Sequence, residues 1–200
     1  MKCRMHISIR PLAAEDLDRA AAVLGEAFAD YPWTNWCVQA DSHQERVTGL
    51  QRLYLEHMAV PHGLAYTDAD QNGVVAFIPP DVPAPAESVF ATIAELHGDR
   101  FARMVEAEAQ LSTMGAWDDA WLLATIGVAR SAQGRGLGGD LLAAGLAEVD
   151  RRGQACWLDT ATRRNLPLYE RHGFSIAGHI AIDDGPEVWR MHREAGSARQ

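Results

Sequence analysis

Apolar residues recur along the chain with two periods, and the switches between them mark the expected elements. Met5, Ile7 and Ile9 alternate with His6, Ser8 and Arg10, which predicts a first strand over Met5–Arg10. Leu17, Ala21, Leu24 and Phe28 then share one face at helical spacing, and Pro32 is expected to end that helix. Val47, Leu50, Tyr54 and Met58 are in helical register, so a second helix is expected from about Asp41 to Met58, punctuated by Pro61 and Gly63. Leu64–Thr67 and Val74–Ile78 predict a strand pair around the turn DADQNG, with Asn72-Gly73 supplying the turn chemistry.

Beyond the Pro-rich stretch Pro79–Glu87, the pattern returns to helices. One is expected over Ala86–His97, closed by Gly98, and a second, capped by Asp99, ends at Gly115. Trp121–Ala129 is strongly apolar and predicts a strand buried on both faces. Gly138–Arg152 predicts a helix with Leu142, Leu146 and Val149 inward and Gly153 as its stop. A strand at Ala155–Thr160, a short helix at Asn165–His172 and strands at Phe174–Ile182 and Val188–His192 complete a mixed α/β order.

At 200 residues the chain suits one compact domain with a core of its own. Lys and Arg number 18 against 27 Asp and Glu, a formal charge of -9 that argues against a nucleic-acid partner. An anionic ligand held by a local feature is still compatible with that charge. Cys3, Cys37 and Cys156 include no CxxC pair, so neither a zinc site nor a disulfide framework is expected, and a reducing cytoplasm is the simplest setting. The opening MKCRMHISIR lacks the apolar region of a signal peptide. The longest apolar stretch, Ala120–Ala129, is too short to cross a bilayer, so no membrane partner is expected. The eight histidines form neither HxxxH nor HExxH, and no metal is expected. Nothing in the sequence assigns an oligomeric state.

The strongest local signal is ATIGVARSAQGRGLGGDLLAAGL, an apolar strand feeding a loop rich in glycine (Gly134, Gly136, Gly138, Gly139) and then a helix. Glycine lets backbone N–H groups approach a ligand, the helix N-terminus adds partial positive charge, and such a corner binds phosphates. Arg130 and Arg135 bring cations to it. No Gly-Lys-Ser/Thr follows, which excludes the Walker loop. Gly134, Gly136 and Gly139 do satisfy G-x-G-x-x-G, with Asp159 about 20 residues on where a ribose-binding acid would sit. Against that reading, Ala129–Gln133 separates the strand from the first glycine, and the loop lies too late in the chain for two mononucleotide-binding halves. A nucleotide oxidoreductase would prefer NADH to CoA.

The same loop also fits Q-x-x-G-x-G through Gln133, Gly136 and Gly138. Together with Asn165, Tyr169 and Gly173-Phe174 in RNLPLYERHGF, and with IRPLAAEDLDRAAAVLGEAF at the start, it resembles the GNAT superfamily of N-acetyltransferases. The resemblance implies a GNAT-type mixed, largely antiparallel twisted sheet flanked by helices, with acyl-CoA in a V-shaped opening between two central strands. It implies one N-acetyltransferase domain over residues 1–200 with a helical insertion at about 86–115. It also implies acetyl-CoA as co-substrate, a small-molecule amine as acceptor, with an aminonucleoside antibiotic such as puromycin leading, and direct attack without a protein nucleophile. Another small amine or a peptide N-terminus is the alternative acceptor, and a non-catalytic acyl-CoA-binding regulator the alternative class.

By this resemblance the pantetheine arm pairs with Ile126, Gly127 and Val128. The pyrophosphate takes backbone donors from Gln133, Gly134, Arg135, Gly136, Leu137, Gly138 and Gly139, and Asn165 meets the arm. Tyr169 is the expected general acid, because a phenol of pKa about 10 stays protonated at neutral pH; the alternative is a core tyrosine. An alkylammonium must lose a proton before it attacks. Asp159 is the candidate base, at a position where the resemblance leads us to expect glutamate, and Glu26 is the alternative, with Asp30 nearby. Tyr31, Trp33 and Trp36 could stack on a planar acceptor or simply pack the core. Cys156, within an expected central strand, is an inert buried thiol by this reading.

Overall fold

The computed structural model describes residues 8–115 and 119–197. Strand β1 is Ile9–Pro11, so Met5–Ile7 of the expected first strand lie outside the described residues, as does Cys3. Helix α1 spans Leu17–Phe28 and buries Leu17, Ala20, Ala21, Val23 and Leu24, the face that the helical spacing marks. Pro32 does not end it. Proline has no N–H to lose at a first helical position, and Pro32 instead opens a separate short helix, α2, Pro32–Cys37. Thr34 Oγ1 donates to the carbonyls of Phe28 (2.6 Å) and Tyr31 (3.0 Å), tying the new helix to the end of α1.

Helix α3, His43–Tyr54, runs on through a wider π-type turn at Leu55–Ala59 into α4, Val60–His62. This helical stretch passes Met58 and stops only at Gly63, where a Cβ would lie 2.1 Å from the Phe77 carbonyl oxygen. Strands β2, Leu64–Asp68, and β3, Gly73–Ile78, pair antiparallel. Their turn is set by other residues than the sequence suggests. The left-handed position is Gln71, at φ 53°, and Asp68 Oδ1 accepts from the amides of Asn72 (2.7 Å) and Gly73 (2.8 Å).

The inserted helices are α5, Glu87–His97, and α6, Phe101–Ser112, which reverse at Gly98 with φ 62°. Asp99 does not cap α6; it lies in a tight turn, with its amide donating to Gln39 Oε1 at 3.0 Å. Arg100 Nη1 donates to the carbonyls of Asn35 (2.5 Å) and Val38 (2.8 Å), and His97 Nδ1 faces the Cys37 carbonyl at 2.6 Å, so the hairpin is fixed on α2. Strand β4 is Trp121–Val128, helix α7 Leu137–Arg151, strand β5 Cys156–Thr160, helix α8 Leu166–Arg171, strand β6 Ser175–Ala181 and strand β7 Glu187–Arg193.

The strands form a seven-stranded sheet in the order β1-β2-β3-β4-β5-β7-β6. Only the β4–β5 pair is parallel. Helix α7 covers one face through Leu141, Leu142, Leu146 and Val149, packed on Val75, Phe77, Trp121, Leu123 and Leu158. Helix α1 and the α3–α4 stretch cover the other, where Leu24, Leu55 and Ala59 meet Val74, Ala76 and Ile78. Strand β3 is therefore buried at every residue. Strand β4, expected to be the same, alternates between buried and half-buried positions. Its register against β3 skips Ala124, a bulge that swaps its faces: Trp121 and Leu123 join the α7 side before it, Ile126 and Val128 after it. No helix of the described residues is long and apolar enough to cross a membrane.

At the rim, Arg10 grips Asp16 through two bonds of 2.6 and 2.9 Å, and the Ala13 amide donates to the same carboxylate at 2.9 Å. These hydrogen bonds, rather than any depth of burial, lower its pKa from 3.8 to about 2. Because the folded value is depressed, the stabilisation is present above the ordinary value and is lost as pH falls through the folded one. Melting temperatures of wild type and Asp16→Asn should differ at neutral pH and converge as pH drops from 3.8 towards 2. A gap that ignores pH would refute this account.

Candidate active site

Between β4 and β5 the sheet opens. The parallel strands are in register only at Trp121–Cys156 and Leu122–Trp157, and beyond those pairs they part. A cavity of about 480 Å³ occupies the parting, walled by both strands, with Phe28, Trp33 and Tyr54 among its apolar lining. Helices α5 and α6 add Val89, Ile93, Met104 and Glu108 to its lining. Gln51 also lines it and accepts a hydrogen bond from Thr125 Oγ1 at 3.1 Å.

Of the expected catalytic groups, Tyr169 and Asp159 both line this cavity and Glu26 does not. Tyr169 sits on α8, 5% exposed, edge-on to Phe174 with ring centroids 6.0 Å apart. Its hydroxyl has no hydrogen-bond partner among the described residues, and burial pushes its pKa upward, so the phenol stays protonated at neutral pH. Asp159 is engaged at both oxygens: Arg190 Nε and Nη2 donate to them at 2.9 and 2.7 Å. Glu26 instead accepts from the Arg130 amide at 3.1 Å, holding the loop that leaves β4, while Asp30 pairs with the Arg130 side chain at 2.5 Å.

The aromatic trio divides. Tyr31 and Trp33 line the cavity; Trp36 is absent from its lining, packs against Trp33, and donates from Nε1 to the Asp184 carbonyl at 2.6 Å. Tyr31 ties the α1–α2 corner to the end of β5, sharing a bond with Thr160 Oγ1 (3.2 Å) and accepting from the Ala161 amide (2.6 Å). Cys37 and Cys156 are free and buried, and desolvation raises both thiols to about 12, which makes them poor nucleophiles.

The glycine loop has the form a phosphate ligand requires. Gly134 and Gly136 adopt φ 75° and 89°, and a Cβ built at Gly134 would meet nothing within 4 Å, so the backbone faces open space. Helix α7 begins at Leu137, whose side chain belongs to the core; what residues 137–139 can offer is their amide N–H groups, which have no intrahelical acceptor. Gln133 Nε2 donates to the Val128 carbonyl at 3.0 Å and Arg135 Nη2 to the Ser131 carbonyl at 3.1 Å, bracing the loop, and Arg135 has no carboxylate partner among the described residues. His172 bridges α8 to α7, with Nδ1 facing the Leu168 carbonyl (2.8 Å) and Nε2 that of Gly139 (3.2 Å). Ile126 and Asn165 reach the cavity, so the opening joins the loop's strand to the helix that carries Tyr169.

Comparison with known proteins agrees with this geometry. A family profile described as "Acetyltransferase (GNAT) domain" matches residues 91–176. Over those residues this chain resembles a GNAT acetyltransferase domain. Its fold is shared by a solved structure described as "histone acetyltransferase HPA2 and related acetyltransferase" from Corynebacterium glutamicum, with a TM-score of 0.71 and 24% identity over 96% of this chain and 98% of that one. The arylalkylamine N-acetyltransferase 2 of Aedes aegypti superposes with a TM-score of 0.64 at 13% identity, over 96% and 100% of the two chains. The ribosomal-protein-S18-alanine N-acetyltransferase of Escherichia coli does so with 0.55 at 16% identity, over 96% of each. The GNAT profile covers α6, β4, the glycine loop, α7, β5 and α8, which include the two strands that part at the opening.

Two groups at the site escape the sequence reading. Arg190 carries a signal: a charge inside the apolar run Val188–Met191 demands a buried partner. Glu108 carries one as well. It falls at helical spacing between Met104 and Leu111, on the inward stripe of α6, where an acid is out of place unless it faces a cavity.

Proposed function

We propose that this GNAT domain transfers the acetyl group of acetyl-CoA to the nitrogen of a small, largely apolar amine, with puromycin or a similar aminonucleoside as the leading acceptor. The observation that carries this reading is an apolar chamber holding a protonated phenol, walled by the strand that runs out into the glycine corner. Acetyl-CoA would supply an activated thioester. For its part the chain would offer the amides of Gln133–Gly139 and Arg135 to the pyrophosphate, the β4 edge at Ile126–Val128 and Asn165 to the pantetheine arm, and Tyr169 to the departing sulfur. The apolar lining that α5 and α6 contribute through Val89, Ile93 and Met104 favours a small, largely apolar acceptor over a peptide N-terminus. The free, buried thiols fit a reducing cytoplasm.

Puromycin is favoured by resemblance. AFADYP, ERVTGLQ, AWLLATIGV, QGRGLG and RNLPLYERHGF are similar to stretches of puromycin N-acetyltransferase, whereas WTNW and Asp159 depart from it. Antibiotic resistance would follow from that acceptor. Incubated with acetyl-CoA and puromycin, the protein should form acetyl-puromycin, detected by mass, well above the acetyl-CoA hydrolysis blank. No product would overturn the puromycin assignment and direct a panel of aryl, alkyl and peptide amines at the same cavity.

A further inference from the structure

Glu108 is the carboxylate in the cavity that no cation engages. It lines the chamber from α6, accepts no hydrogen bond and forms no ion pair among the described residues, whereas Asp159 is held at both oxygens by Arg190. A carboxylate that faces an apolar-lined cavity without a cation of its own attracts a cationic ligand to that wall. We propose that Glu108 receives the acceptor's ammonium group and takes its proton, so that the inserted helical hairpin, rather than the sheet, supplies the base and the selectivity for a cationic amine. This rests on the N-acetyltransferase reading.

The Glu108 side chain keeps exposed surface while lining the cavity, and the protein around it withdraws part of its hydration. Desolvation therefore raises its pKa first, the Asp159 charge from β5 adds to this, and the Arg190 charge from β7 opposes it. Tyr54 of α3 and Cys37 of α2 are also within electrostatic reach, both neutral at physiological pH with pKa values raised to about 12. His57 and His97 share the cavity wall, with Tyr31 and Tyr169 as the remaining phenols. A raised pKa suits a proton acceptor, because it lies closer to that of the amine it must neutralise.

The step balances. One N–H bond of the ammonium breaks, its electron pair stays on nitrogen, and the proton forms an O–H bond at a Glu108 carboxylate oxygen, later to leave to solvent. The neutral amine forms the C–N bond as the C–S bond breaks. Tyr169 protonates the sulfur and recovers a proton from the acylated nitrogen.

Glu108→Gln keeps size and polarity and removes the charge. Its kcat/KM should fall about 100-fold near neutral pH, and the acidic limb set by Glu108 should give way to one at the higher pH where the amine deprotonates unaided. Glu108→Asp should restore the acidic limb in part. Binding gives a readout independent of turnover: by calorimetry, Glu108→Gln should bind phenethylamine about tenfold more weakly while binding phenethyl alcohol and CoA as wild type does. Retained CoA affinity certifies the fold. A Glu108→Gln protein with wild-type kcat/KM and an intact acidic limb would overturn the proposal and leave the acetyltransferase reading standing. Should wild type acetylate no amine in the panel, that reading fails instead, and Glu108 still stands or falls on the phenethylamine comparison.

Discussion

Tyr169→Phe should lower kcat about 100-fold while leaving CoA affinity and thermal stability close to wild type. The separation of effects follows from where the hydroxyl sits. The Tyr169 ring is packed against Phe174, and phenylalanine preserves that contact. Its hydroxyl meets no hydrogen-bond partner among the described residues and opens on the cavity, so its removal strands no buried donor or acceptor. Its chemistry is another matter. The departing thiolate, conjugate base of a thiol of pKa about 8.5, is a weaker base than the tyrosinate that the phenol would become, so complete transfer from the phenol to sulfur is uphill. Burial steepens that slope. The phenol can therefore act only in concert with the nitrogen that surrenders its second proton, which makes the step depend on both groups being present together. Calorimetry with CoA and single-turnover kinetics would check this. A variant that turns over at the wild-type rate would reduce Tyr169 to a core residue, and one that loses CoA binding would make it a structural support of the opening.

How much of this site could be seen in the chain follows from how local each signal is. The glycine loop is contiguous, and Gly134 and Gly136 take the positive φ angles that make them legible. The inward faces of α1 and α7 follow from periodicity, because burial on one side of a helix writes itself into every third or fourth residue. Errors arise where a residue's role depends on a distant neighbour. Pro32 has the same sequence signature whether it stops one helix or starts the next, and Thr34 decides by binding back to Phe28. In the DADQNG turn, the Asp68 side chain bonds two amides and moves the left-handed position to Gln71. The alternation in β4 escapes because the strand leaves its parallel partner after two residue pairs and bulges at Ala124, which leaves residues on both of its faces half-buried. The candidate site divides the same way. Asp159 is visible as an acid near a strand end, but its engagement by Arg190 depends on β7 inserting between β5 and β6. Glu108 reaches the cavity only because the α5–α6 hairpin folds over it.

Replacing Arg190 with methionine should destabilise the protein by about 3 kcal/mol, the low end for breaking a buried ion pair, and lower the melting temperature by roughly 6–12 °C. Arg190 is 6% exposed and Asp159 22%, so the carboxylate left behind is partly hydrated and the larger values for fully buried pairs do not apply. The guanidinium also lies 4.7 Å from the Trp157 ring centroid and donates to the Gly115 carbonyl at 2.5 Å, just beyond α6. Methionine keeps the volume and the packing on Trp157 and removes the charge and every hydrogen bond. Asp159→Leu in the same protein should recover most of the loss, because an absent pair costs far less than half of one. The pair also acts on Glu108. Arg190 is the cation that holds the Glu108 pKa down against burial and the Asp159 charge. In Arg190→Met the acidic limb of kcat/KM should therefore move to higher pH, and in the double variant, which removes the opposing carboxylate too, it should move back towards wild type. A stability loss without that movement would mean that the pair braces the end of the hairpin and has no electrical bearing on the group that takes the proton.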